Sequence, residues 1–132
     1  MNKILSLILL LTLLSACKKQ ETLEEIEARA GQTAMEYYKL LIEGKYDDFV
    51  AGTADSDSLP ADYRSQLSDN AAMFVKQQTN EHRGIKEISL SRCHADTATM
   101  TAEAFLDIVY MDSVKEVVCV PLVMQNNIWR MK

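Results

Sequence analysis

The spacing of apolar residues changes once along the chain, and this change limits the fold more than any other feature. From Leu23 to about Glu81 apolar residues recur every three or four positions; from Ile85 to Met131 they recur at every second position. The first spacing lays a stripe along a helix, and the second lays a face along a strand. A block of helices followed by a block of strands is an α+β arrangement, which excludes alternating βαβ units and an all-β sandwich. Glycines mark the boundaries: Gly44, Gly52 and Gly84 each follow a helical stretch, where a C-terminal stop is expected.

Thr22-Leu23-Glu24-Glu25 fits a capping box, with Thr22 as N-cap and Glu25 reaching back. Leu23, Ile26, Ala30, Ala34, Tyr37 and Leu41 form the stripe of the first helix, widened by Tyr38 and Ile42. Tyr46 to Ala51 reads as a second, short helix. Ala54 to Leu59 reads as a loop, with Ser58 a candidate cap and Pro60 in the first turn of a third helix. That helix carries Tyr63, Leu67, Ala71 and Phe74 on one face.

In the second half, Thr97 to Met111 reads as a long strand with Ala98, Met100, Ala102, Ala104, Leu106, Ile108 and Tyr110 on one face. A three-residue loop, His94-Ala95-Asp96, would pair Leu90 with Met100 and Ile88 with Ala102. A two-residue turn at Asp112-Ser113 would pair Leu106 with Cys119 and Ala102 with Val123, all apolar. The other face would then hold Phe105, Val109, Val118, Val120 and Leu122, rimmed by Glu103, Asp107 and Glu116. A solvated sheet face is usually more polar, so this patch reads as a docking or homodimer surface. The register of Ile128 to Met131 stays open.

The first sixteen residues do not belong to this pattern. Asn2 and Lys3 precede an aliphatic run from Ile4 to Leu14, too short for the ~20 residues of a membrane span. Leu14-Ser15-Ala16-Cys17 follows. The order of charge, apolar run, small residues and Cys resembles the signal peptide and lipobox of bacterial lipoproteins. The resemblance implies a cleaved leader (1–16), a lipidated Cys17 with a short tether (17–21) and a folded domain (22–132). Lys18 to Glu21 extend at most about 14 Å, so the domain would sit against the membrane, with Lys18 and Lys19 at the head groups. Lys18, rather than an acid, after the Cys resembles sorting to the outer membrane of a Gram-negative envelope, on the periplasmic side.

The 132 residues carry a formal charge of −5 without a basic cluster, which argues against nucleic acid as a partner. The apolar fraction of 48% suits a globular domain with its own core.

Four further details resemble small lipoproteins of unknown function with a nuclear-transport-factor-2-like, or cystatin-like cone, domain. They are Ala34-x-x-Tyr37-Tyr38-x-x-Leu41-x-x-Gly44-x-Tyr46, Gly84-Ile85-Lys86-x-Ile88, Asp96-Thr97-Ala98-Thr99-Met100 and the terminal Ile128-Trp129-Arg130-Met131. The resemblance implies three N-terminal helices on a curved four-stranded antiparallel meander. It implies no particular activity, since the superfamily hosts enzymes, binding proteins and assembly domains.

Candidate chemistry is sparse. Cys93 and Cys119 would lie on opposite faces of nonadjacent strands, too far apart for a disulfide. His82 and His94 lack metal-ligand spacing, and Asp55-Ser56-Asp57 lacks the glycine and the twelfth-position Glu of a calcium loop. No metal or cofactor is implied. Asp107 and Tyr110 would point to opposite faces of their strand and could not share a pocket as a base and a phenol. Tyr37, Phe74 and Tyr110 are the candidates for lining a cavity between helices and sheet. The reading is a lipid-anchored, non-catalytic envelope module that dimerises or docks a partner through its sheet face. The alternative is a small apolar ligand in a cone-shaped cavity, and an enzyme of the ketosteroid-isomerase kind ranks last.

Overall fold

A computed structural model describes residues 19–132. The leader, Cys17 and Lys18 lie outside the described residues. Among the described residues, no helix is long and apolar enough to cross a membrane.

Helix α1 spans Leu23–Ile42, and its start is a full capping box. The Glu25 amide donates to the Thr22 hydroxyl at 3.2 Å, and the Thr22 amide donates to the Glu25 carboxylate at 2.9 Å. Helix α2 (Tyr46–Ala51) leads through a 3₁₀ turn (Ser56–Ser58) to helix α3 (Ala61–His82). Pro60 takes the N-cap position of α3 without a side-chain bond, so Ser58 is not the cap. Strands β1 (Ile85–Asp96), β2 (Thr101–Tyr110), β3 (Lys115–Gln125) and β4 (Ile128–Met131) form an antiparallel sheet in the order β1-β2-β3-β4.

The inner face of β2 is as its alternation predicts. Ala102, Ala104, Leu106, Ile108 and Tyr110 are buried and pack with Ile26, Ala30 and Ala34 of α1. The close approach of α1 to the sheet also needs Gly31, where an added Cβ would lie 2.6 Å from the Leu90 side chain and 3.2 Å from Cys93. A mid-helix glycine lowers helix propensity by about 1 kcal/mol relative to Ala. Here it removes the atom that would hold helix and sheet apart.

Both hairpins differ from expectation. The β2–β3 turn holds three residues, Met111 to Ser113. The Tyr110 amide donates to the Val114 carbonyl at 2.9 Å, and the Ser113 amide donates to the Tyr110 carbonyl at 3.0 Å. Ser113 has φ 72°, whereas Asp112 is not among the positive-φ residues. Tight two-residue turns need positive φ at their first central residue; a left-handed third residue marks the three-residue form. The Asp112 carboxylate supports it by accepting from the Val114 amide at 3.1 Å.

The extra turn residue slips the register by one. Ala102 pairs with Leu122, Ala104 with Val120 and Leu106 with Val118. A one-residue slip turns every side chain of β3 over. Val120 and Leu122 are therefore core residues, at 2% and 0% exposure, and Val118 packs against them half-buried. Val117, Cys119 and Pro121 face outward.

At the first hairpin, β1 continues through His94-Ala95-Asp96, and Thr97 to Met100 make the turn. Asp96 Oδ1 accepts from the Ala98 amide at 2.8 Å, and Met100 has φ 49°. Ile88 pairs with Ile108 and Leu90 with Leu106, not with Ala102 and Met100. An irregularity between Leu90 and Arg92 then moves Cys93 and Ala95 to the core side. Both cysteines are free, on opposite faces, with their faces exchanged relative to expectation.

Candidate functional site

The one-residue slip in β3 brings a carboxylate to the inner face of the sheet. Glu116 pairs with Ile108, at the open end of the inner row that continues through Val118, Val120 and Leu122. Beside it lies a cavity of about 380 Å³ between the end of α1, helix α2, the middle of α3 and the start of β3. Its lining is mainly apolar, with Tyr38, Phe49 and Phe74 supplying aromatic rings. Tyr38 and Phe49 meet edge to face, with centroids 5.6 Å apart. Glu116 is its only charged lining residue, and Asn70 and Thr53 add polar groups.

A polar chain backs the carboxylate. The buried Tyr110 hydroxyl donates to Glu116 Oε2 at 2.5 Å. The Tyr110 ring stacks on His82, with centroids 4.4 Å apart, and His82 Nδ1 lies 2.7 Å from Asp112 Oδ2. The chain joins the end of α3 and the β2–β3 turn to the cavity wall. Burial, then the bond to Glu116 and its charge, holds the Tyr110 phenol well above the ordinary range. Burial, with a smaller effect from Cys119, also raises the Tyr38 phenol.

The three cavity candidates separate. Phe74 lines the cavity. Tyr37 does not: its hydroxyl donates to the Trp129 carbonyl at 2.8 Å, and its ring packs where a Cβ on Gly52 would stand. Its neighbour Tyr38 turns to the cavity instead. Tyr110, 1% exposed, is core, and reaches the site only through Glu116. Glu116 itself was expected on the outer rim of the sheet; a three-residue turn was the signal needed to place it. Asp107 lies on the outer face, paired with Ser89, so it shares no pocket with Tyr110.

The expected docking patch loses its centre. Val120 and Leu122 point into the core and Val118 lines the cavity, leaving Phe105 and Val109 half-buried on the outer face. Phe105 is already covered: the Arg92 guanidinium lies 4.1 Å from its ring centroid, and His94 sits edge-on at 6.3 Å.

A second cleft of about 310 Å³ lies between α2 and α3. Two of its polar groups are already bonded. The Ser68 hydroxyl donates to Asp47 Oδ1 at 2.6 Å, and the Ser56 hydroxyl donates to the Ala51 carbonyl at 3.1 Å.

Three helices, a four-stranded antiparallel sheet and a cavity between them invite comparison with known folds. A crystal structure of a Campylobacter jejuni protein, provisionally named an NTF2-like transpeptidase, matches with a TM-score of 0.58 and 15% sequence identity. The match covers 74% of this chain and 92% of that one. The fold is NTF2-like. At this identity the likeness concerns the fold alone. No protein-family model matches the chain, and no curated protein matches it. The NTF2-like fold explains where the cavity sits, since the helices cover the inner face of the sheet and leave one end of that face open.

Proposed function

We propose that the chain is a lipid-anchored envelope protein that binds a small, largely apolar molecule in the cavity between helices and sheet. The observation that carries this reading is the cavity itself: about 380 Å³, within the ~300–1,000 Å³ usual for ligand sites. Its makeup, apolar walls with few polar groups, is the usual one for such sites. The reading includes the finer features of the family: a curved sheet closing a cone, helped by the irregularity in β1, since bulges bend strands. It takes precedence over docking through the sheet face because Val120 and Leu122 are unavailable there and Phe105 is covered.

The proposed role is binding without catalysis. A phenol that acts on a bound substrate must reach it, and Tyr110 does not line the cavity. Its hydroxyl donates to Glu116 and orients that carboxylate. Anchoring rests on Cys17 and its preceding leader. Replacing Cys17 with Ser in the full-length chain should move the protein from the membrane to the soluble fraction, and continued attachment refutes the anchor.

The cavity is tested with mature protein, residues 17–132 carrying Cys17→Ser. Among the described residues the buried core runs from Ile26 to Met131, all of it within this chain. The neutral fluorophore N-phenyl-1-naphthylamine should bind with enhanced emission. Ala71→Trp, which places a large ring from α3 in the cavity, should abolish the enhancement while circular dichroism stays native. Equal binding by both proteins refutes the reading.

A further inference from the structure

Resting on the cavity reading, we infer that the ligand is an organic cation: an ammonium group on a small apolar body, held by Glu116 and the aromatic walls.

Among the described residues Glu116 is the only charge in the lining; it is exposed at the mouth of the cavity, where it can meet a cationic head while an apolar body lies against the walls. Among the described residues the ion pairs are Lys19–Glu25, Arg29–Glu21, Lys45–Glu43 and His82–Asp112. Glu116 is in none of them. Tyr110 occupies one of its oxygens, Oε2, and fixes the direction of the carboxylate. Oε1 has no protein donor among the described hydrogen bonds.

The surrounding charge has the same sign. Glu81, Asp112 and Glu116 all act on the Tyr110 hydroxyl, and the nearby basic group, His82, is bonded to Asp112. Lys115 precedes Glu116 but belongs to the opposite face of β3. Among the described residues no Arg or Lys lines the cavity, so an anion would meet repulsion.

The aromatic rings select further. Tyr38, Phe49 and Phe74 line the same cavity. Ring faces attract cations, and aromatic cages are a general device for recognising substituted ammonium groups. A carboxylate and three rings around one apolar space suit a cation whose remaining substituents are hydrocarbon. At ~30 Å³ per water-sized group, the cavity holds on the order of a dozen non-hydrogen atoms.

The test uses the mature Cys17→Ser protein and displacement of N-phenyl-1-naphthylamine by three matched compounds: 3-phenylpropylammonium, 3-phenylpropanol and 3-phenylpropanoate. The ammonium should compete at roughly tenfold lower concentration than the alcohol, and the carboxylate most weakly. Glu116→Gln, which can still accept from Tyr110, should bring the ammonium to the level of the alcohol, each displacement being read against that protein's own fluorophore affinity. Phe74→Leu should weaken the ammonium more than the alcohol. Equal competition by ammonium and alcohol, or an ammonium preference that survives Glu116→Gln, overturns the cation while the cavity reading stands. A fluorophore that fails to bind overturns both.

Discussion

Leu122→Ala tests the register on which the site depends. Leu122 is fully buried on the inner face of β3, opposite Ala102. Truncating such a leucine costs about 2–5 kcal/mol, from lost burial and the void left behind. At about 2.1 cal/mol/K per residue, unfolding of this domain has an entropy near 0.24 kcal/mol/K, so a mid-range 3 kcal/mol lowers Tm by about 12 °C. The matched control is Val117→Ala. Val117 is 59% exposed on the outer face, and its truncation should stay within about 0.5 kcal/mol. In the alternative register, with Leu106 opposite Cys119, the two costs would exchange, because Val117 would be inside and Leu122 outside. Urea unfolding of the mature protein, followed by fluorescence of Trp129, reads both. This is the single tryptophan, 2% exposed. The midpoint for Leu122→Ala should fall at unchanged slope. A loss below about 1 kcal/mol for Leu122→Ala, with a larger loss for Val117→Ala, refutes the register and with it the inward placement of Glu116.

Three further outcomes follow from local geometry. Thr22→Ala removes the capping box of α1 and should cost about 1 kcal/mol; unchanged urea midpoints would show that the box contributes nothing. N-ethylmaleimide at pH 8 should modify the exposed Cys119 quickly and Cys93 slowly, because burial, then the Glu27 carboxylate, pushes the Cys93 thiol up to about 11; peptide mass mapping that finds equal rates contradicts this. The bond to His82 holds the Asp112 carboxyl below the ordinary carboxylate range. Its contribution is therefore present above the unfolded value and lost as pH falls through the folded one. Asp112→Asn should flatten the acid side of the Tm–pH curve, and an unaltered curve refutes the linkage.

The helices were legible in the sequence because their signals are local. Thr22 and Glu25 sit three apart, and Gly44 and Gly84 stand at φ 73° and 113° where two helices end. The inner face of β2 was legible because only one parity of that strand is consistently apolar. Strand β3 is different. One parity holds Glu116, Val118, Val120 and Leu122; the other holds Val117, Cys119, Pro121 and Val123. Both are apolar enough to face a core, so alternation cannot choose. The turn chooses, through one serine in a left-handed conformation, which serine does not advertise. Pro121 is compatible with the outcome. Its carbonyl accepts from the Lys132 amide at 2.9 Å, toward β4. In an antiparallel ladder a residue's amide and carbonyl point to the same neighbour, so the missing N–H costs no bond to β2. The Thr97 to Met100 stretch continues the alternation of β2, yet Asp96 folds it into a turn by accepting from the Ala98 amide.

The same slip decides which functional reading the molecule supports. With Glu116 outward, the sheet shows an apolar patch with an acidic rim, and the cavity is a featureless void in the core. With Glu116 inward, the patch is divided between core and surface, and the cavity gains its only charge. The proposed anchor then gives the cavity a direction. Glu27, near the start of α1, accepts from the Ala95 amide at 3.0 Å, so the tethered end of the domain lies with the β1–β2 turn. Tyr38 and Leu41, in the last two turns of α1, line the cavity at the other end. From Leu23 to Leu41 a helix rises about 27 Å at 1.5 Å per residue. Under the proposed anchor, a tether of at most about 14 Å would keep the first end of α1 near the bilayer.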